Sequence, residues 1–415
     1  RPLNALLHGA FFLFFYDEED KSMPHTEFKT EIHSAGGPGL FIFGRAEESG
    51  ERLLSEYRGK VQLIYLDPPF GTGDSFEISR GQKGKKIKIP AYSDKMSDGA
   101  YMEMMKNVLE LCRELMTCDG TLYLHVDYRM AAYLRVLLDE VFGKKNFVNE
   151  IIWAYKSGGR ATKHFSRKHD NILVYRKGRS SYFNIEAVGI PRGPERRNHM
   201  KRHVDDTGRI YYSIRSGGKL YKYYEDSLIY PSDVWTDIEH LQQRDPERTG
   251  YSTQKPEALL RRIILSSSKE GDIVADLFSG SGTTAAAAQK LGRRWIAVDP
   301  SPAALMTLRK RLLDNNSDAS LLKTAAGMDI EYLQTPALGK IPGITVQRTR
   351  AGLTATPDGD SLAYMAAGRL EEGRFITETY DTSPHPGKKL AVADDRHAIL
   401  VSDIYGNLSV WSDLG

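Results

Sequence analysis

Val61-Gln62-Leu63-Ile64-Tyr65-Leu66 runs straight into Asp67-Pro68-Pro69-Phe70, and much later Asp272-Ile273-Val274-Ala275-Asp276-Leu277 runs into Phe278-Ser279-Gly280-Ser281-Gly282-Thr283. Each is a short apolar run ending in a turn-forming loop, the pattern of a buried strand meeting a loop. In an open parallel sheet, ligands bind in the crevice outside the carboxyl ends of the strands, so two such ends can face a single pocket. One end suits a nucleotide-like cofactor and the other a flat amine.

The surrounding chain alternates in the same way. Leu40 to Phe43 reads as another buried strand, followed by a helix from about Glu47 to Tyr57. After Phe70 the chain turns polar, and Gly71 to Met96, with Lys83, Lys85, Lys86 and Lys88, reads as a long mobile loop of the kind that carries function. Tyr101 to Met116 has helical spacing, Thr121 to Val126 reads as a strand ending at His125 and Asp127, Ala131 to Phe142 as a helix, and Phe147 to Tyr155 as a strand. The rhythm resumes with a helix from Pro256 to Ser267, where Pro256 suits the first turn. It continues with a strand from Asp272 to Leu277, a helix from Thr283 to Leu291, a strand from Trp295 to Val298 and a helix from Pro302 to Leu312. Strand and helix in alternation predict a parallel α/β sheet. From Gly339 to Gly415, short apolar runs alternate with Gly, Pro and Asp turns, which predicts a small β-rich appendage.

The 415 residues carry a net charge of +3, but the charge is segregated. Tyr155 to Glu225 holds 17 Lys and Arg against 6 Asp and Glu, a local +11 that leaves the remainder acidic. The same block is rich in aromatics, among them Tyr155, Phe165, Tyr175, Tyr211, Tyr221 and Tyr224. A polyanion with stackable bases would select that combination, and a solvated basic face with buried tyrosines is the alternative. Cys112 and Cys118 are the only cysteines, with no Cys/His cluster of metal-ligand spacing, so no metal is expected and the thiols read as reduced ones of a cytoplasmic protein. The most apolar run, Ala5 to Tyr16, is interrupted by His8 and is shorter than the ~20 residues that span a bilayer. Asp17-Glu18-Glu19-Asp20 follows it where a signal peptide would have its cleavage site, so no membrane association is expected. Met23 is a candidate start, which would make the residues before it a translated leader.

The glycine segment lets backbone approach a ligand closely, and seventeen positions after Gly282 the strand from Trp295 ends in Asp299, placed to accept hydrogen bonds from ribose hydroxyls. Alone it also fits any Rossmann-like nucleotide site, or a plain tight turn. It has no Gly-Lys-Ser/Thr and lacks the third glycine of the dinucleotide fingerprint, so an adenosine without a pyrophosphate fits better. S-adenosylmethionine is such a ligand. At the other end, Pro68 and Pro69 fix φ and remove two donors, which leaves rigid carbonyl acceptors beside the carboxylate of Asp67 and the flat face of Phe70. An exocyclic amine held by Asp67 and the Pro68 carbonyl would have its lone pair turned toward an electrophilic methyl, with Phe70 stacked on the ring. As an isolated tetrapeptide the motif also reads as a strand end with Asp67 capping a turn.

Together the segments resemble the DNA amino-methyltransferases, which methylate adenine N6 or cytosine N4, in the permuted order called the β class. The resemblance runs from about Gly39 to Leu312. It rests on Leu63-Ile64-Tyr65-Leu66-Asp67-Pro68-Pro69-Phe70-Gly71-Thr72-Gly73, Leu122-Tyr123-Leu124-His125-Val126-Asp127, Glu150-Ile151-Ile152-Trp153, Thr253-Gln254-Lys255-Pro256 and Asp276-Leu277-Phe278-Ser279-Gly280-Ser281-Gly282-Thr283-Thr284. It implies a Rossmann-like sheet and S-adenosylmethionine as cofactor. Asp67, Pro68, Pro69 and Phe70 become the catalytic motif; Asp67, Asp276, Phe278, Ser279, Gly280, Gly282, Thr283 and Asp299 shape the cofactor pocket, and Lys255 and Pro256 help close it near the methionine portion. Two positions depart from the pattern: Phe70 stands where tyrosine is commoner, and Ser252 stands where proline is frequent. An Asp at the start of the motif leans toward adenine, because cytosine-N4 members tend to have serine there.

A base inside a duplex cannot reach such a cleft, so the target must be flipped out. The basic insert then supplies contacts to double-stranded DNA, with Lys156, Arg160, Lys163, Arg167, Lys168, Arg196, Arg197, Lys201 and Arg202 as candidates. The expected division is an extension over 1–35, a catalytic half over 36–154, the recognition insert over 155–250, a cofactor half over 251–318 and the appendage over 319–415. The resemblance also brings a homodimer and a cognate restriction enzyme into view. Alternatives are a cytosine-N4 enzyme, an RNA methyltransferase, whose families place the glycine motif first, and a non-catalytic nucleic-acid-binding module supported by charge alone.

Overall fold

The computed structural model describes residues 29–33, 37–69, 75–80, 87–93, 97–156, 161–193, 200–251, 253–314, 328–333, 341, 344–349, 352–357, 362–382, 384, 389–392, 397–403 and 407–412. Its main sheet contains β1 (Thr30–Ile32), β2 (Gly39–Phe43), β3 (Val61–Leu66), β4 (Met116–Val126), β5 (Phe147–Ala154), β6 (His169–Arg176), β7 (Val234–Trp235), β8 (Ile273–Asp276), β9 (Arg294–Asp299), β10 (Met328–Tyr332), β11 (Leu362–Glu371), β12 (Arg374–Asp381), β13 (His397–Asp403) and β14 (Leu408–Ser412). Their spatial order is β7-β5-β6-β4-β3-β8-β9-β2-β10-β1-β12-β11-β13-β14. The helices are α1 (Gly50–Tyr57), α2 (Asp98–Leu115), α3 (Ala131–Leu138), α4 (Glu257–Ser267), α5 (Thr283–Lys290) and α6 (Pro302–Asp314).

From β4 through β10 the pairs β4–β3, β3–β8, β8–β9, β9–β2 and β2–β10 are all parallel. Central strands of this kind are apolar throughout because both faces are covered, and every residue of Val61–Leu66 is buried. Alternate side chains serve opposite layers. Leu63, Tyr65, Val274 and Ala297 pack with α4, α5 and α6, while Val61, Ile64, Leu66 and Val298 pack with α1, α2 and α3. The result is a doubly wound sheet between two helical layers, as the alternation of elements predicts. The run Ala285 to Ala288 is fully buried, so small side chains let α5 lie close on the sheet.

Three features depart from the expectations. Part of the basic block is sheet: β6 pairs antiparallel with β4 and β5, so the all-parallel rule breaks there, and β7 pairs with β5. Asn171-Ile172-Leu173-Val174-Tyr175 is an apolar run whose strand character the surrounding charge masks, and all five residues are buried. Within the basic block, a three-stranded antiparallel sheet of Lys201–Val204, Ile210–Ser216 and Lys219–Tyr224 stands apart from the main sheet, as does a short pair Ile190–Pro191 and Leu228–Ile229. The stretch expected as a mobile loop contains an antiparallel hairpin, Ser75–Arg80 with Ile87–Ser93, around the glycines at 81 and 84. Phe76, Ile78, Ile87 and Ile89 recur at the period of two that marks a strand, a signal hidden by the lysines.

The C-terminal segment is β-rich, but β11 to β14 are not a detached unit. They continue the main sheet through β1, which pairs antiparallel with β10 on one side and parallel with β12 on the other. A three-residue strand from the expected N-terminal extension therefore splices the two halves. Its central Glu31 is fully buried in an ion pair with Arg309 of α6, and accepts hydrogen bonds from Tyr332 at 3.0 Å and Tyr364 at 3.1 Å. Burial alone would raise its pKa, yet the charge of Arg309 and the hydrogen bond with His33 prevail and hold it down at about 2. Removing one member of a buried pair leaves the other charge uncompensated, at a cost of about 3–5 kcal/mol. Glu31→Gln is therefore expected to lower the urea unfolding midpoint markedly, and a midpoint equal to wild type would show that this splice carries no stability.

Candidate active site

The site starts from the ladder between β3 and β8. Val274 lies opposite Leu63 and Ala275 opposite Ile64, so both strands deliver their carboxyl ends to one edge. Asp67 leaves β3 there, Asp276 ends β8, and Asp299 ends the neighbouring β9. The two segments quoted from the sequence thus meet as neighbours.

At the β3 end, Lys255 Nζ forms an ion pair with Asp67 Oδ2. The other oxygen, Asp67 Oδ1, is buried without a hydrogen-bond partner among the described residues. A buried, unsatisfied carboxylate oxygen is costly and marks a place where a donor is missing. Pro68 is buried and Pro69 half-buried, while Phe70 lies outside the described residues. Lys255 is held by its surroundings. Gln254 accepts hydrogen bonds from Thr249 N and Oγ1, both at 2.8 Å, and donates to the Glu247 carbonyl at 2.9 Å. The Lys255 carbonyl accepts from Thr283 Oγ1 at 3.3 Å, tying the lysine turn to the glycine turn. Pro256 is the residue before α4 rather than a member of its first turn; its ψ of 139° is extended.

At the β8 end, Gly280 and Gly282 have φ of +47° and +71°, a region that L side chains avoid. A Cβ on Gly282 would lie 3.0 Å from Leu308, so glycine is needed there for space as well as for conformation. Asp299 accepts hydrogen bonds from Gly280 N and Ser301 N, both at 2.8 Å, and so holds the turn in shape. Asp276 accepts from Phe278 N at 3.0 Å and from Thr284 Oγ1 at 2.6 Å. Burial drives both carboxyls up, Asp276 to about 7 and Asp299 to about 6, against the hydrogen bonds that favour ionisation. Asp67 also acts electrostatically on Asp276. Ser279 Oγ is buried without a partner among the described residues, and Phe278 is half-buried against the core. A turn with two glycines at positive φ, an unsatisfied hydroxyl and three carboxyls at one edge fit a ligand that combines hydroxyls with positive charge, as S-adenosylmethionine does.

Sequence reading missed a buried relay behind this edge. Tyr65 OH and His125 Nδ1 are 2.8 Å apart, His125 Nε2 lies 3.2 Å from Asp170 Oδ2, and Tyr155 OH donates to Asp170 Oδ1 at 3.2 Å. Burial would raise the Asp170 carboxyl, but the His125 hydrogen bond and the charges of His125 and Lys255 lower it. The signal available was His125 at the end of its strand; Asp170 was hidden inside the basic block.

The nucleic-acid candidates fall in two places. Lys156, Lys163, Arg167 and Lys168 lie in the connection from β5 to β6, on the same edge as Asp67. Lys156 pairs with Glu239 at 3.4 Å, and Arg167 donates to Tyr128 OH at 2.8 Å. Lys201 and Arg202 are exposed on the separate three-stranded sheet. Arg160, Arg196 and Arg197 lie outside the described residues.

The family model N6_N4_Mtase, DNA methylase, matches residues 61–309, from the start of β3 into α6, and the chain belongs to that family. The Type II methyltransferase M.EcaI of Enterobacter cloacae is 32% identical over 66% of this chain and 69% of its own length. The DNA adenine methyltransferase YhdJ of Escherichia coli (strain K12) is 29% identical over 58% of this chain and 71% of its own. The probable type III restriction-modification enzyme HindVI Mod subunit of Haemophilus influenzae is 26% identical over 64% of this chain, which spans 49% of that relative.

The raised Asp276 carboxyl has a measurable consequence. Its folded pKa of about 7 lies above the unfolded value near 4, so the unfolded chain loses its proton first and stability falls as the pH rises between those values. In Asp276→Asn this part of the slope disappears. The thermal midpoint of the variant is expected to gain on wild type between about pH 5 and about pH 8; parallel curves would show that Asp276 is not raised.

Proposed function

We propose that this DNA methyltransferase transfers a methyl group from S-adenosylmethionine to the exocyclic N6 amine of an adenine flipped out of duplex DNA. The observation that carries the reading is Asp67, whose Lys255-bound oxygen leaves the second oxygen buried and in want of a donor, one strand away from the glycine turn. An exocyclic amine supplies that donor. Asp67 Oδ1 and the Pro68 carbonyl take its two N–H groups, which turns the nitrogen lone pair out of conjugation. Lys255 fixes the carboxylate in orientation through their ion pair. Phe70 stacks on the flipped ring. Gly280, Gly282, Ser279 and Thr283 form the cradle, with Asp276, Phe278 and Asp299 around it and Pro256 closing it beside Lys255. When bound, S-adenosylmethionine supplies an electrophilic methyl group on a sulfonium. The amine proton becomes acidic once the nitrogen carries the new methyl, so its departure needs no strong base.

Lys156, Lys163, Arg167 and Lys168 contact phosphates at the rim of the cleft, and Arg160, Arg196, Arg197, Lys201 and Arg202 are the further candidates for contact with DNA. The Asp that opens the motif and the relative named as a DNA adenine methyltransferase favour adenine over cytosine. A cognate restriction enzyme and a second copy of the chain are the partners this reading adds. The place of action is the cytoplasm, where the DNA is; no helix among the described residues is long and apolar enough to cross a membrane.

Incubation with methyl-labelled cofactor and duplex DNA, followed by digestion to nucleosides, is expected to put label in N6-methyladenine. Label in N4-methylcytosine would overturn the adenine assignment, and preference for RNA in competition would overturn the substrate. Asp67→Ala is expected to lower transfer by about 100-fold or more while DNA binding stays near wild type.

A further inference from the structure

Phe165 is 98% exposed, the most exposed large apolar side chain among the described residues. It lies in the connection between β5 and β6, between Lys163 and Arg167. The stem of that connection is held. Tyr155 N donates to the Lys168 carbonyl at 3.0 Å, and Ala161 N donates to Ser166 Oγ at 3.3 Å. Arg167 donates to Tyr128 OH at 2.8 Å, and its guanidinium lies 4.4 Å from that ring's centroid. Tyr128 follows β4, whose carboxyl end lies on the edge that carries Asp67.

β5 is three strand spacings from β3, which puts the base of the connection roughly 14 Å from the Asp67 strand. That is the scale of the path between a base in its stack and one turned out into a cleft. A large ring in full contact with water gains by burial, and its basic neighbours select a polyanion as the surface that buries it. Taking a base out of the stack leaves a gap of matching shape and apolar character, and apolar side chains wedged between base steps hold such gaps open.

We propose that Phe165 is a wedge that enters the duplex beside the target base and fills the space it vacates, a positioning residue for the transfer at Asp67. The inference rests on the proposed methylation of a flipped base and adds the group that stabilises the flipped state. Phe165 makes no contact with the glycine turn, so cofactor affinity is independent of it.

The test uses the whole chain and two duplexes carrying the recognition sequence, identified by methylation-sensitive sequencing of DNA from a host expressing the protein. In one the target is paired; in the other it faces an abasic site, so no pairing opposes its exit. Phe165→Ala is expected to lower kcat/KM on the paired duplex by about tenfold or more and to recover on the abasic one, while Phe165→Trp stays near wild type on both. Wild-type rates for Phe165→Ala on the paired duplex, or equal losses on both duplexes, overturn the wedge. If wild type itself methylates neither duplex, the methylation reading falls and the wedge with it, an outcome distinct from failure of the variant alone.

Discussion

The parallel hydrogen-bond ladder between β3 and β8 brings the Asp67 corner and the glycine turn to one edge of the sheet. Val274 opposite Leu63 and Ala275 opposite Ile64 set the register, and both strands are buried on both faces, so a slip would have to move core side chains out of two packed layers. With the register held, the Asp67 corner and the glycine turn open on one edge. In the proposed reading neither segment makes a site by itself: the first offers acceptors for an amine, the second a glycine-bearing cradle.

The carboxyls at that edge share an electrostatic problem. Asp276 and Asp299 are buried and pushed up toward neutrality, whereas Asp67 has a cation of its own in Lys255. The edge therefore combines a carboxylate paired with a lysine and two carboxyls that gain from positive charge nearby. A cationic ligand with hydroxyls would offset the repulsion among these carboxyls. On the far side of α6, Arg309 and Glu31 face the same cost of burial and resolve it by pairing with each other and with two tyrosines.

Much of this was legible in residues. The mostly apolar runs of β3, β8 and β9 read as buried strands, and the strand-turn-helix around Gly280 and Gly282 needed only backbone arguments. Less legible were features set by distant partners. β6 hid because the lysines and arginines around Asn171-Ile172-Leu173-Val174-Tyr175 outweighed its apolar core in any charge count. The role of β1 depends on β10 and β12, which lie hundreds of residues away in the chain, and nothing in Thr30-Glu31-Ile32 announces them. The bond of Lys255 to Asp67 is of the same kind: the lysine read as part of the cofactor pocket, and only the fold aims it at the acceptor. His125 was visible, but its partner Asp170 sat in a segment read for charge rather than for burial.

The order of strands has a bearing on how the molecule comes into being. Val61–Leu66 leaves the ribosome early, and its neighbour on one side, β4, follows soon after; its neighbour on the other, Ile273–Asp276, is translated only after the whole basic segment. During elongation an apolar edge therefore waits unpaired, a state prone to sticking to other chains, and closure over so long a separation is slow. A nascent polypeptide halted within the basic segment would already hold the Asp67 corner and charge suited to a polyanion, yet lack the glycine turn. In the proposed reading, modifying power arrives only after the basic segment, with the strand that brings in the glycine turn.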